Sequence, residues 1–288
     1  MKSKQLVTWI GRVLTLISIA YVSVVIYDYS QDLNIWAYIQ AHYLIYLILV
    51  AVYFVGNVLL ALAWRFILEF QGNKLSVAVT MWFYGTTQIS KYLPGNIAHL
   101  ANRQILGNEL GLKQSTLVKS TLWETGLMVM VASSFGLLLT NHYLALTSLN
   151  NLWLFGTFWL LACTLGYFSN YRSLLKVPLV YLVFFTLSGG VFAFVFVSFP
   201  DTQLYGFPQY WELSGYFVLA WLVGFLAPGA PAGIGVREAA LIVLAGNIAN
   251  SEVLIASVVL ARSITVFGDL LFFFYSQRFN PKRLALRS

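Results

Sequence analysis

Apolar residues in this chain run in long blocks rather than in alternation. Eight such blocks, at 7–27, 43–68, 75–93, 117–140, 152–168, 177–199, 213–227 and 253–275, are separated by short polar breaks. Most reach the ~20 residues that a helix rising ~1.5 Å per residue needs to cross ~30 Å of hydrocarbon. Two end at Pro-Gly interruptions, Pro94-Gly95 and Pro228-Gly229. The pattern predicts an all-α polytopic membrane protein of about eight apolar segments, re-entrant or broken helices among them. The first block follows the basic residues Lys2 and Lys4 and resembles a secretion signal. A cleavable signal has an apolar core of only ~7–15 residues. Block 7–27 is longer and ends at Asp28, so it is expected to be a retained span.

Composition removes most other classes. Charged residues make up 9% of the chain and apolar residues 59%, with mean hydropathy +0.77, whereas a soluble domain carries about 25% charged residues. The net charge of +7 is spread over loops and single positions, with no basic stripe that would suit a nucleic-acid partner. Cys163 is the sole cysteine and lies in an apolar block, which excludes a disulfide scaffold. No second histidine or cysteine stands at ligand spacing from His99, while His42 and His142 fall near outer boundaries, so neither a metal nor a cofactor is expected. The 17 Tyr, 22 Phe and 9 Trp read as interface anchors and lipid-facing bulk.

Lys and Arg favour the cytoplasmic side of a membrane. Lys2 and Lys4 at one end and Arg278, Lys282, Arg283 and Arg287 at the other place both termini inside. Loops bearing Arg65 and Lys74, or Arg172 and Lys176, also fall inside; those around Asp28 and Asp32, at 141–151 and at 201–212 lack basic residues and fall outside. Two apolar blocks then lie between an inside loop and an outside one, where only an odd number of crossings fits. One block must enter and return, and 75–110, which carries Lys91 and Arg103, is expected to be that re-entrant excursion. Irregular backbone at membrane depth persists only where protein or a water-filled cavity satisfies it, so a cavity is implied.

The two interruptions share a design. Lys91-Tyr92-Leu93-Pro94-Gly95-Asn96 is followed by Arg103, nine positions after the proline. Pro228-Gly229-Ala230-Pro231-Ala232-Gly233-Ile234-Gly235-Val236-Arg237-Glu238 also carries its arginine nine positions after Pro228. Each unit precedes an apolar block with a charge near its middle, Glu124 in one and Arg262 in the other. The expectation is one transmembrane domain over 1–288 built from two inverted pseudo-repeats, about 43–140 and 177–276, with a basic tail at 277–288. Proline ends the first helix, glycine permits the reversal, and the restarting helix offers free amides and a positive dipole end. Pro94, Gly95, Pro228, Gly229, Gly233 and Gly235 therefore form a candidate backbone anion site.

Ionisable side chains at the bilayer centre are costly and are functional candidates by default, with structural pairing as the competing explanation. Arg237 and Glu238 suit either substrate or gating work, or an ion pair that fixes the loop. Arg262 and Asp269 share a helix face at i, i+7, to line a cavity or to pair with Glu238 or Glu124. Glu124 is a candidate proton-coupled switch. Lys91 and Arg103 serve either as snorkelling residues or, with Asn96, as phosphate ligands, since Asn96, His99 and Arg103 share a helical face. His99 alone is weak evidence.

The two motifs, together with Glu124 and Arg262, resemble the lysylphosphatidylglycerol synthase transmembrane-region family, the flippase-like domain also found as the membrane half of the multiple peptide resistance factor. The resemblance covers about 43–275, and the second motif departs from the usual Pro-Gly-Gly-x-Gly form, reading Pro-Gly-Ala-Pro-Ala-Gly-Ile-Gly. It implies a bacterial inner-membrane transporter, not an enzyme, that flips an anionic lipid between leaflets: an aminoacylated phospholipid or a polyprenyl-phosphate-linked sugar. An aminoacyltransferase or glycosyltransferase is the implied partner, alongside the surrounding membrane lipids. The chain has no Gly-x4-Gly-Lys-Ser/Thr phosphate loop. Two other readings stand beside it. One is an integral-membrane transferase acting on a polyprenyl-phosphate lipid, which would need a paired acidic motif the chain lacks; the other is a non-transporting scaffold for a glycosyltransferase complex.

Overall fold

In the computed structural model, residues 39–92, 98–139, 148–169, 171–199, 207–227, 233, 235–246 and 251–281 are described. The block 7–27, the residues Pro94, Gly95, Asn96, His142, Pro228 and Gly229, and the tail beyond 281 lie outside them. The described residues are helical, with no strand among them. In chain order the α-helices are α1 (Tyr43–Phe70), α2 (Val77–Gln88), α3 (Ala98–Glu109), α4 (Gln114–Ser134), α5 (Ser148–Phe168), α6 (Lys176–Val197), α7 (Phe207–Leu226), α8 (Val236–Ala245) and α9 (Ser251–Ser276). Short 3-10 turns follow α2 at Ile89–Tyr92 and α4 at Phe135–Leu139.

Five stretches, Tyr43–Phe70, Gln114–Leu139, Asn150–Phe168, Arg172–Val197 and Ala256–Phe279, are long and apolar enough to cross a membrane. The exterior agrees: along α5, Trp153 is 76% and Phe168 81% exposed, large apolar surfaces that only hydrocarbon accommodates at this density. These stretches are those of a chain consistent with a multi-pass membrane protein. Two apolar blocks differ from their expected extents. The block 75–93 yields only α2, whose 12 residues rise about 18 Å before the backbone tightens at Ile89–Tyr92, too short to cross. The block 213–227 begins earlier as helix: α7 starts at Phe207 and takes in Glu212, placed in a loop by its charge but a good helix former. Ser76 caps α2, its side chain accepting from the Val79 amide at 3.3 Å.

The helices pack through small residues, as membrane helices do when lipid offers no hydrophobic drive. A Cβ at Gly189 of α6 would meet Ser214 of α7 at 2.9 Å, and one at Gly268 of α9 would meet Tyr53 of α1 at 2.8 Å. Between them lies an aromatic core in which Trp64 and Phe83 stack at 4.5 Å. Helices α1 and α6 lie against each other at the centre. Around them the contacts come in matched sets: α1 packs on α2, α4 and α9, while α6 packs on α7, α9 and α4. Likewise α2 packs on α3 and α9, while α7 packs on α8 and α4, and α3 meets α4 as α8 meets α9. Exchanging α1–α4 for α6–α9 leaves this set of neighbours unchanged; α5 sits outside it, beside α7 and the turn after α4.

Candidate functional site

A cavity of about 90 Å³ opens where the two sets of helices meet. That is several times the space one water needs. Its wall takes Lys91 and Tyr92 from the turn after α2, His99 and Arg103 from α3, Glu124 from α4, Arg237 from α8 and Arg262 from α9. The elements that follow the two sequence interruptions, far apart in the chain, thus share one space.

Three ion pairs surround it. Arg103 donates through Nη1 to Glu124 Oε2, both side chains almost fully buried. The same guanidinium donates through Nη2 to Gln88 Oε1 at 3.3 Å and lies 4.5 Å from the Tyr84 ring centroid, while the Tyr84 hydroxyl donates to Glu124 Oε1 at 3.0 Å. Both carboxylate oxygens are satisfied, as a buried charge pair requires, while Arg103 Nε is buried with no hydrogen-bond partner among the described residues. The second pair joins Arg262 Nη1 to Glu238 Oε1, leaving Glu238 Oε2 buried without a partner among the described residues. In the third, Lys91 Nζ lies 2.7 Å from Asp269 Oδ2, which also accepts from the Tyr92 hydroxyl, while Asp269 Oδ1 has no partner among the described residues. This last pair ties the turn after α2 to α9.

Arg237 stands apart. It is the second residue of α8, lines the cavity and forms no ion pair with a described carboxylate; its Nε is buried with no hydrogen-bond partner among the described residues. Among the described residues, the four cations Lys91, Arg103, Arg237 and Arg262 stand with three carboxylates, Glu124, Glu238 and Asp269, an excess of one positive charge. A buried guanidinium without a counterion is unfavourable unless an anion or water arrives to meet it.

Backbone geometry explains where Arg237 sits. Gly233 and Gly235 adopt φ of +73° and +81°, the left-handed region that favours glycine, directly before α8. A Cβ at Gly233 would lie 2.9–3.0 Å from backbone atoms of Gly224 in α7, and one at Gly224 would meet the Arg237 Cβ at 3.3 Å. The chain is thus pressed onto α7 at a point where two glycines touch, and α8 starts from there with no side-chain cap on its first amides. Those amides and the dipole end favour negative charge.

Of the sequence candidates, the structure brings Lys91, Arg103, Arg237 and Arg262 to the cavity wall with Glu124, and places Glu238 and Asp269 as partners behind them. Arg103 and Arg237 do not occupy equivalent places despite equal spacing from their prolines. Arg103 is paired with Glu124, whereas Arg237, the second residue of α8, has no carboxylate partner among the described residues. Glu238 pairs with Arg262 across helices rather than with its neighbour Arg237. Asn96, Pro94, Gly95, Pro228 and Gly229 lie outside the described residues. Sequence reasoning missed Tyr84, Gln88, Tyr92 and Gly224, whose roles depend on contacts across helices, and treated aromatics as lipid-facing. Trp221 and Phe225 instead stack at 4.9 Å and line the cavity. Among the described residues no three His, Cys, Asp or Glu side chains group to hold a metal ion.

No protein-family model matches the chain, and no curated protein is similar to it at a significant level.

Proposed function

We propose that this protein is a bacterial inner-membrane transporter of the lysylphosphatidylglycerol synthase transmembrane-region type, which moves an anionic lipid between leaflets. The observation that carries the reading is the unpaired Arg237 at the wall of a cavity shared by the two helix-break elements. The phosphate of a lipid head group supplies the missing negative charge there, while its acyl or isoprenyl tail remains in hydrocarbon. An aminoacylated phospholipid and a polyprenyl-phosphate-linked sugar both carry such a phosphate.

The matched neighbours of α1–α4 and α6–α9 support two pseudo-repeats; the distribution of Lys and Arg in the sequence supports their inverted topology, with α2 and α3 as the re-entrant pair and both termini in the cytoplasm. Rocking one set against the other around the fixed site gives alternating access. The protein does no covalent chemistry in this scheme; an aminoacyltransferase or glycosyltransferase partner makes the cargo.

The test is a scramblase-type assay in proteoliposomes containing only the purified chain and a fluorescent phosphatidylglycerol. Labelled lipid changes leaflets with the wild-type protein, and Arg237→Gln abolishes this while the protein keeps its melting temperature. A lipid of altered mass would instead establish a transferase. Movement unaffected by Arg237→Gln would remove the cavity from the mechanism.

A further inference from the structure

His99, set aside in the sequence as an isolated histidine, takes on a role from its position. It is the second described residue of α3, and Arg237 is the second residue of α8. Both line the same cavity. His99 Nδ1 is buried with no hydrogen-bond partner among the described residues, and so is Arg237 Nε. Unmet nitrogens on residues that line one space therefore come from both sets of packed helices, His99 Nδ1 and Arg103 Nε from α3 and Arg237 Nε from the start of α8, whose dipole end is positive.

A buried polar nitrogen is ordinarily paired, and one left unpaired in a folded protein marks an absent partner. Two of them, at the N-terminal ends of α3 and α8, call for a partner with several acceptor oxygens that can be reached from both sides. A carboxylate has two oxygens in one plane. A phosphodiester carries its two charged oxygens on a tetrahedral phosphorus beside two ester oxygens, so its acceptors point in different directions and meet donors that do not lie in one plane. The Arg103 guanidinium is the less available of the two buried arginines, since Glu124 and Gln88 hold both its terminal nitrogens and the Tyr84 ring flanks it, leaving only Nε unmet. The single uncompensated charge also matches a monoanionic phosphodiester better than a dianionic phosphomonoester.

We infer that His99 is a second anion-binding residue, and that a phosphodiester is held between His99 of α3 and Arg237 of α8. The inference rests on the proposed transport reading for its lipid source, but the two-sided clamp is a separate claim. Because α3 and α8 belong to different sets of packed helices, an anion bridging them joins the two halves, and its departure frees them to move.

The experiment uses the full chain in detergent micelles with three probes: dihexanoylphosphatidylglycerol, inorganic phosphate and farnesyl phosphate. Histidine imidazole NMR signals are followed, with the His99 signal identified by its loss in His99→Gln. The phosphodiester is expected to shift the His99 signal and to bind most tightly, and His99→Gln and Arg237→Gln are each expected to weaken it roughly tenfold or more, the scale of a hydrogen bond to a charged group. Binding unchanged in His99→Gln but lost in Arg237→Gln overturns the clamp and leaves the transport reading standing. Inorganic phosphate binding as tightly as the lipid, with both variants weakened, sustains the clamp and removes the lipid as cargo. If no probe binds the wild-type chain, both fall. Should His99→Gln lower the melting temperature, the wild-type spectrum decides alone: a His99 signal unmoved by bound phosphodiester overturns the inference.

Discussion

The two buried arginine-bearing helices, α3 and α8, follow similar interruptions and end in opposite electrostatic states. On α3, Arg103 is enclosed by Glu124, Gln88 and Tyr84, and both oxygens of its carboxylate partner are occupied. On α8 the carboxylate Glu238 reaches away to Arg262, and Arg237 is left facing the cavity. The polarity of the pairing is reversed between halves: the short helix supplies the cation in the first and the anion in the second. Similar ingredients are thus committed to holding helices together on one side and held in reserve for an incoming charge on the other.

Breaking the committed side should have the largest effect on folding. Glu124→Gln leaves Arg103 buried without its counterion, at a cost of about 3–5 kcal/mol, to be measured as a lowered melting temperature in detergent. Replacing both partners by apolar residues, Arg103→Met with Glu124→Leu, should recover most of that loss, and failure to recover would assign the pair a role beyond packing. Next comes Gly233→Ala, which places a Cβ against the Gly224 backbone at a positive φ. Strain of about 1–3 kcal/mol is expected, with transport reduced because Arg237 is displaced. Arg237→Gln sharpens the contrast: it should leave the melting temperature at or slightly above the wild-type value, since it removes an uncompensated buried charge, while abolishing lipid movement. The smallest effect belongs to the half-buried Arg65–Glu69 pair on α1, spaced i, i+4 at 2.7 Å. Glu69→Gln should cost about 0.3–0.5 kcal/mol, and this loss should vanish at high salt.

The membrane class and the long spans were legible because burial in lipid writes itself as unbroken apolar runs, from 43–68 to 253–275. The arginines, Glu124, Glu238 and Asp269 were legible for the same reason, as charges that stand out in such runs. Their pairing was not. Arg103 with Glu124 and Lys91 with Asp269 are joined by helix packing that no local pattern encodes. Equal spacing from Pro94 and Pro228 suggested that Arg103 and Arg237 are counterparts, yet Arg103 pairs with Glu124 and Arg237 has no carboxylate partner among the described residues. Hydropathy also overlooked Gly224, because the need for a missing side chain is set by the backbone opposite.

The contact of Gly224 with Gly233 governs how the wall of the cavity can travel. No compressible side chain lies between the two backbones, so α7 and the start of α8 have no cushion and shift as a single lever. Trp221 and Phe225 ride on the same lever as Arg237, so any swing that opens a route for a head group carries its aromatic flank and its charge together.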